Sequence, residues 1–276
     1  MAGGCSGGGL PGKAGDERIM TKRKETAGVL SQEPLAPGIY SMWIRTEIAR
    51  DAAPGQFISV YSKDGSRLLP RPISICETGE DRLRIVYRIA GKGTREFSAY
   101  RAGDPIEILG PLGNGFPLQE TEGKRVFLIG GGIGVPPMLE TAKRITGAKE
   151  LTMIMGYRNS HMFLKEEFEA AGRLVIATED GSFGTKGNVL DAVRENGLEA
   201  DVLFACGPAP MLKALKAYAA ETGMEAWISL EEKMACGIGA CLACVCQSKE
   251  VDSHSHVHNK RICKDGPVFR AEEVEL

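Results

Sequence analysis

No apolar run in this 276-residue chain approaches the ~20 residues that a membrane-spanning helix needs. A charged-then-apolar leader of the secretory kind is missing too. Neither sign of charge is in excess. Lys and Arg number 34 against 36 Asp and Glu, a net −2, so nothing marks nucleic acid or another polyanion as a partner. In a chain of this length without a leader, the eight cysteines read as metal-binding thiolates in a reducing cytoplasm, not as disulfides of a small secreted fold. Hydrophobic residues at 43% and charged residues at 25% are those of an ordinary globular protein, long enough for two or three domains.

The cysteines are concentrated in Met234 to Cys246, MACGIGACLACVC. Cys236, Cys241 and Cys244 form a C-x4-C-x2-C run, and Cys263 follows in RICKDGP. This is the plant-type spacing for four thiolates around a [2Fe–2S] cluster. Gly237, Gly239 and the small Ala235, Ala240 and Ala243 permit the turns that bring N–H groups to the sulfurs. A structural zinc site is the alternative, although the second C-x2-C pair it favours is lacking. Cys246 reads as an inert neighbour, and so does Cys5. His254, His256 and His258 alternate ahead of Cys263. A one-sided metal-binding strand is conceivable there, but exposed hairpin residues are the expectation.

Four segments follow from composition and rhythm. Residues 1–24 are Gly-rich and then basic, a tail that buries no core, with Met20 an alternative start. Residues 25–120 predict a small antiparallel barrel of six strands. Short β runs at Tyr40–Thr46, Gln56–Tyr61, Pro72–Cys76, Arg82–Ile89 and Pro105–Leu109 are broken by turns and one short helix, Thr94 to Tyr100. In RLRIVYRI, Leu83, Ile85, Tyr87 and Ile89 share one face, and Arg82, Arg84 and Arg88 the other. Residues 121–225 alternate apolar strands with amphipathic helices, as in a doubly wound parallel sheet whose ligands sit at the strand carboxyl ends. Residues 226–276 form a small module holding the cysteines.

Two places in that sheet can meet a dinucleotide. Gly130, Gly131, Gly132 and Gly134 open a strand-to-helix turn, where backbone approaches a pyrophosphate and a helix N-terminus offers N–H groups. Val135 replaces the third glycine of the usual fingerprint, and the acidic residue expected for a ribose hydroxyl at the end of the second strand is missing. The second strand leads instead to Gly156-Tyr157-Arg158, and the Arg158 guanidinium suits a 2′-phosphate. Cys206, Gly207 and Pro208 end a later strand at the same sheet edge, where Cys206 is either core packing or a contact for nicotinamide. In the barrel, Arg71-Pro72-Ile73-Ser74 offers a guanidinium and Gly91-Lys92-Gly93-Thr94 a helix N-terminus, two means of holding a second pyrophosphate.

RPIS, YRIAGKGT, GPLGNGF, GGGIGVPPM, EDGSFGTKG, CGPAPML, MACGIGACLACVC and RICKDGPVF occur in that order from about Glu25 to the C-terminus. The order resembles the ferredoxin–NADP reductase superfamily, and within it the electron-transfer subunits of NAD-dependent (class 1B) dihydroorotate dehydrogenases. The resemblance implies that Arg71, Pro72, Ile73, Ser74, Tyr87, Arg88, Ile89, Gly93 and Thr94 hold FAD. It places the Gly130–Gly134 loop and Cys206 against NAD, and makes Cys236, Cys241, Cys244 and Cys263 the cluster ligands. It also implies a partner, an FMN-containing dihydroorotate dehydrogenase catalytic subunit in a heterotetramer of two of each. Electrons would run from FMN through the cluster and FAD to NAD⁺, since a flavin handles both hydride and single electrons. Ile73 departs from the family, standing where many relatives place an aromatic against the flavin. A reductase subunit of sulfide-dehydrogenase or transhydrogenase type is the alternative. Those relatives often have an aspartate among the ligands, where Cys236 stands here.

Overall fold

The computed structural model describes residues 22–251 and 256–276. The expected tail falls almost wholly outside these, with Cys5 and Met20, and so does His254.

Six strands close an antiparallel barrel in the order β1-β2-β5-β4-β3-β6. They are β1 (Arg23–Ala36), β2 (Ile39–Arg45), β3 (Phe57–Val60), β4 (Arg71–Thr78), β5 (Arg82–Arg88) and β6 (Pro105–Leu112). The 14-residue β1 starts two residues inside the expected tail. Helix α1 (Lys92–Phe97) is a single short turn-and-a-half before β6. Leu83, Ile85 and Tyr87 point into the barrel as the alternation requires.

The middle of the opposite face of β5 is not solvated, although Arg82 and Arg88 at its ends are exposed. Arg84 is 6% exposed. Its Nε donates to Ser41 Oγ at 2.8 Å, and its Nη1 lies 3.4 Å from Glu77 and 3.3 Å from Glu167 of the second domain. Cys76 and Val86 join Phe116 in a core that continues into the parallel sheet, where Phe116 stacks on Phe204 at 5.1 Å. Domain packing has therefore turned an outer face into an interior one.

The sheet runs β10-β9-β8-β7-β11-β12-β15. Its parallel strands are β7 (Arg125–Gly131), β8 (Glu150–Tyr157), β9 (Arg173–Thr178), β10 (Thr185–Lys186), β11 (Val202–Cys206) and β12 (Glu225–Ser229). Helices α2 (Pro136–Arg144), α3 (Lys165–Ala171), α4 (Val189–Glu195) and α5 (Ala209–Thr222) connect them. After β12 come the hairpin β13 (Val245–Gln247) and β14 (Asn259–Arg261), then β15 (Val268–Arg270) antiparallel to β12. Strand β12 straddles the expected 225/226 boundary, and β15 returns the cysteine segment to the sheet. No helix among the described residues is long and apolar enough to cross a membrane.

The barrel is tied to both neighbours by buried polar groups. Glu140 of α2, 4% exposed, accepts from Thr78 N at 3.0 Å and Thr78 Oγ1 at 2.6 Å. Asn114, after β6, donates to the carbonyls of Asp265 (3.1 Å) and Val268 (2.9 Å) and accepts from Val268 N (3.0 Å). One amide thus fastens the cysteine segment to the barrel.

Candidate functional site

Arg71 and Pro72 begin β4 and border a cavity of about 680 Å³, within the usual range for cofactor pockets. The loop Ser66–Pro70 forms one wall, and Lys233 and Met234 another. The Arg71 guanidinium lies against Gly93, where a Cβ would come 2.5 Å from Nε, and Nη1 donates to the Leu69 carbonyl. The two barrel motifs therefore meet. Thr94 Oγ1 accepts from the amides of Ala90 (2.9 Å) and Gly91 (3.2 Å), fixing the start of α1. Ser74 is half-buried opposite Phe57, Arg88 is exposed, and Ile89 donates its N–H to Gly38.

Two of the expected residues turn inward. Ile73 packs in the barrel core with Ile58 and Ile75. Tyr87 donates its hydroxyl to Gln32 Oε1 at 2.7 Å and stacks on Tyr40 at 6.1 Å. Burial raises its phenol pKa, with Tyr40 and Tyr100 adding to the shift. Only the backbones of Ile73 and Tyr87 can reach a ligand outside the barrel. Arg67 and Lys233 are cavity residues that sequence reasoning misses, because they belong to no motif, and Met234 opens the cysteine motif without a role of its own there.

At the sheet edge, β7 and β11 run side by side, with Gly130 paired to Cys206. A Cβ on Gly131 would overlap Met211, and one on Gly134 would overlap the Cys206 carbonyl oxygen. The glycine turn and the Cys206-Gly207-Pro208 turn therefore form one surface. Helix α2 opens with Pro136 and Pro137, which lack N–H groups. Any N–H donation to an anion at this turn would have to come from the loop amides before the helix. Burial pushes the Cys206 thiol up to about 12, and the Ser229 hydroxyl only partly offsets this. The group is a neutral thiol at physiological pH.

The cysteine segment gathers all four expected thiols, and they sit as two pairs. Cys236 adjoins Cys241, and Cys244 adjoins Cys263. Amides surround them: Ile238 N (3.4 Å) and Ala240 N (3.3 Å) point to Cys236 Sγ, and Gly239 N (3.1 Å) points to Cys263 Sγ. Burial alone would raise the Cys236 thiol; the amides of Ile238, Cys241 and Ala240 together with the Cys241 thiol outweigh it and bring it to about 6. Cys263, more enclosed, is pushed up to about 12 by burial and by Cys244. Among the described residues no three His, Cys, Asp or Glu side chains gather around a single metal-ion position. Two thiol pairs, each able to take one iron, with amides aimed at the sulfurs, fit a binuclear cluster. Cys244 and Cys263 are 2% and 1% exposed, whereas Cys241 is open to solvent beside exposed Ile238 and Leu242.

Cys246 turns to the Lys260 carbonyl in the hairpin. His256 and His258 are exposed in its loop, His256 with φ 56° and His258 Nδ1 3.0 Å from the Lys249 carbonyl, so they do not line a strand face.

Residues 231–275 match the family described as the iron-sulfur cluster binding domain of dihydroorotate dehydrogenase B. Residues 128–217 match the oxidoreductase NAD-binding domain. The dihydroorotate dehydrogenase B (NAD(+)) electron transfer subunit of Bacillus velezensis is 44% identical, with 92% of this chain and 100% of that one covered. Its counterpart from Caldanaerobacter subterraneus is 43% identical, with 91% and 98% covered. The chain belongs to that family. Among solved structures, a chain of an NADH-dependent reduced ferredoxin–NADP oxidoreductase superposes with a TM-score of 0.80 at 30% identity, covering 91% of this chain and 90% of that one. A ferredoxin NADP+ reductase from Neisseria gonorrhoeae shares the fold, with a TM-score of 0.64 at 17% identity over 76% of this chain and 94% of that one.

Proposed function

We propose that this chain passes electrons between NAD(H) and an FMN-bearing dihydroorotate dehydrogenase catalytic subunit, through FAD and a [2Fe–2S] cluster, in pyrimidine biosynthesis. The two subunits would form a cytoplasmic heterotetramer of two of each. One juxtaposition carries the reading. Met234 lines the 680 Å³ cavity against Arg71 and Pro72, and Cys236 stands two residues further along the same loop. A flavin in that cavity would lie close to the cluster.

When bound, FAD exchanges hydride with nicotinamide and single electrons with the cluster. The chain's own residues do the holding. The Arg71 guanidinium, the Arg71–Ser74 and Tyr87–Ile89 backbones, Gly93 and Thr94 take FAD. The Gly130–Gly134 loop, Cys206, Gly207 and Pro208 receive nicotinamide dinucleotide. Cys236 and Cys241 hold one iron, and Cys244 and Cys263 the other. The Cys206 thiol, kept neutral, would stand beside nicotinamide and position it without exchanging a proton. Solvent-open Cys241, flanked by exposed Ile238 and Leu242, is the side offered to the partner.

The purified chain tests this directly. Anaerobic NADH should bleach both flavin and cluster absorbance, and dihydroorotate should bleach neither. Bleaching by dihydroorotate alone, with the catalytic subunit excluded by mass spectrometry, would overturn the reading.

A further inference from the structure

Ser59 lies on β3, between Pro72 of β4 and Leu109 of β6 in the ladder. Ile58 and Val60 face the barrel interior. Strand alternation therefore puts Ser59 on the outer face, with Phe57, whose ring joins the core formed with Leu112, Cys244 and Cys263. The residue is 0% exposed, yet its Oγ has no hydrogen-bond partner. Among the described residues only Trp227 Nε1 is in the same condition. A buried hydroxyl without a partner is disfavoured unless a bound group completes it.

The loop that closes over this hydroxyl is the cysteine loop. Gly237, directly after Cys236, has φ +70°, and a Cβ there would come 3.1 Å from Ser59 Oγ and 3.2 Å from Leu112 Cδ1. Ser59 does not line the 680 Å³ cavity. The hydroxyl is thus directed at the sulfur-bearing loop from the strand adjoining Pro72.

We propose that Ser59 donates its hydroxyl to a sulfur of the [2Fe–2S] cluster held by Cys236, Cys241, Cys244 and Cys263, and so sets the cluster's reduction potential from the barrel side. Reduction adds negative charge to the sulfurs, and a donor favours that state, so Ser59 raises the potential. Its place next to the strand that borders the flavin cavity ties this tuning to the electron step between the two cofactors. The proposal rests on the four-cysteine cluster reading, and the iron and sulfide content of the wild-type protein tests that reading separately.

The experiment is Ser59→Ala and Ser59→Thr in the full chain, each assayed for iron, sulfide and FAD. EPR-monitored potentiometry of the cluster and optical titration of the flavin follow. Ser59→Ala should keep both cofactors and shift the cluster midpoint negative by ~59 mV, a tenfold change in electron distribution, with the flavin couple unmoved. Ser59→Thr, which keeps the hydroxyl, should stay at the wild-type potential. An unchanged cluster midpoint in Ser59→Ala, or a shift confined to the flavin, would overturn the proposal. If Ser59→Ala loses iron, Ser59→Thr decides: iron retained at wild-type potential supports the donor role, and iron lost or a shifted midpoint contradicts it.

Discussion

Gly134 packs directly on the backbone of Cys206, so closely that a single methyl group at Gly134 would overlap the Cys206 carbonyl oxygen. Two motifs more than 70 residues apart in sequence are thereby locked into one surface, the one proposed to receive nicotinamide. Gly134→Ala should force the two turns apart by a fraction of an ångström to an ångström. Flavin reduction by NADH should slow by about 100-fold, because displacement on that scale costs this much in a positioned reaction. FAD and iron content should be unchanged. Stopped-flow absorbance measures the rate, and a wild-type rate would place the nicotinamide elsewhere.

Cys206 is predicted to act by position, not by ionisation. Cys206→Ala should slow flavin reduction by roughly tenfold with FAD still bound. The thiol is raised from 9.0 to about 12, so it stays protonated in the folded state while an unfolded chain ionises. Its contribution to stability is complete below about 9 and is lost as pH rises toward 12. Iodoacetamide labelling tracked by mass spectrometry should therefore leave Cys206 unmodified at pH 8 in the native protein. Rapid alkylation there would contradict the burial argument.

The cysteine assignment separates ligands from bystanders. Ser in place of Cys236, Cys241, Cys244 or Cys263 should remove or cripple the cluster. Cys246→Ser should not, since Cys246 Sγ turns to the Lys260 carbonyl. Iron and acid-labile sulfide analysis decides it. Full iron in Cys263→Ser would mean that the inner pair is wrongly drawn.

Glu140 joins the domains, and its removal should be felt at a distance. Glu140→Ala leaves the Thr78 amide and hydroxyl without their acceptor, at a cost of about 3 kcal/mol. For a chain of this size that corresponds to a Tm lower by roughly 6–12 °C. Calorimetry of the cofactor-loaded protein checks it, and an unchanged Tm would show that the contact carries no weight.

Much of this architecture could be read from residues. The apolar strands of the parallel sheet, the barrel face of Leu83, Ile85 and Tyr87 and the cysteine spacing each carry a local signal. What escaped depends on partners distant in sequence. Arg84 reads as solvated until Ser41, Glu77 and Glu167 enclose it. Strand β15 is three residues long and gains its identity only from β12. Strand β1 alternates weakly around Pro34, so its 14 residues give no strand signal of their own. The inward turn of Ile73 and the missing partner of Ser59 depend on β3–β4 register and on the cysteine loop above it, which no local pattern encodes.

The central claim is that this chain is one half of an enzyme, complete for NADH and incomplete for dihydroorotate. The decisive measurement is NAD⁺ reduction driven by dihydroorotate, followed at 340 nm, with this chain alone, the separately purified FMN-bearing subunit alone, and the two combined. The account predicts turnover only in the mixture, and none when Cys236→Ser replaces the wild-type chain. Turnover by this chain alone, or undiminished turnover with Cys236→Ser in the mixture, would contradict it.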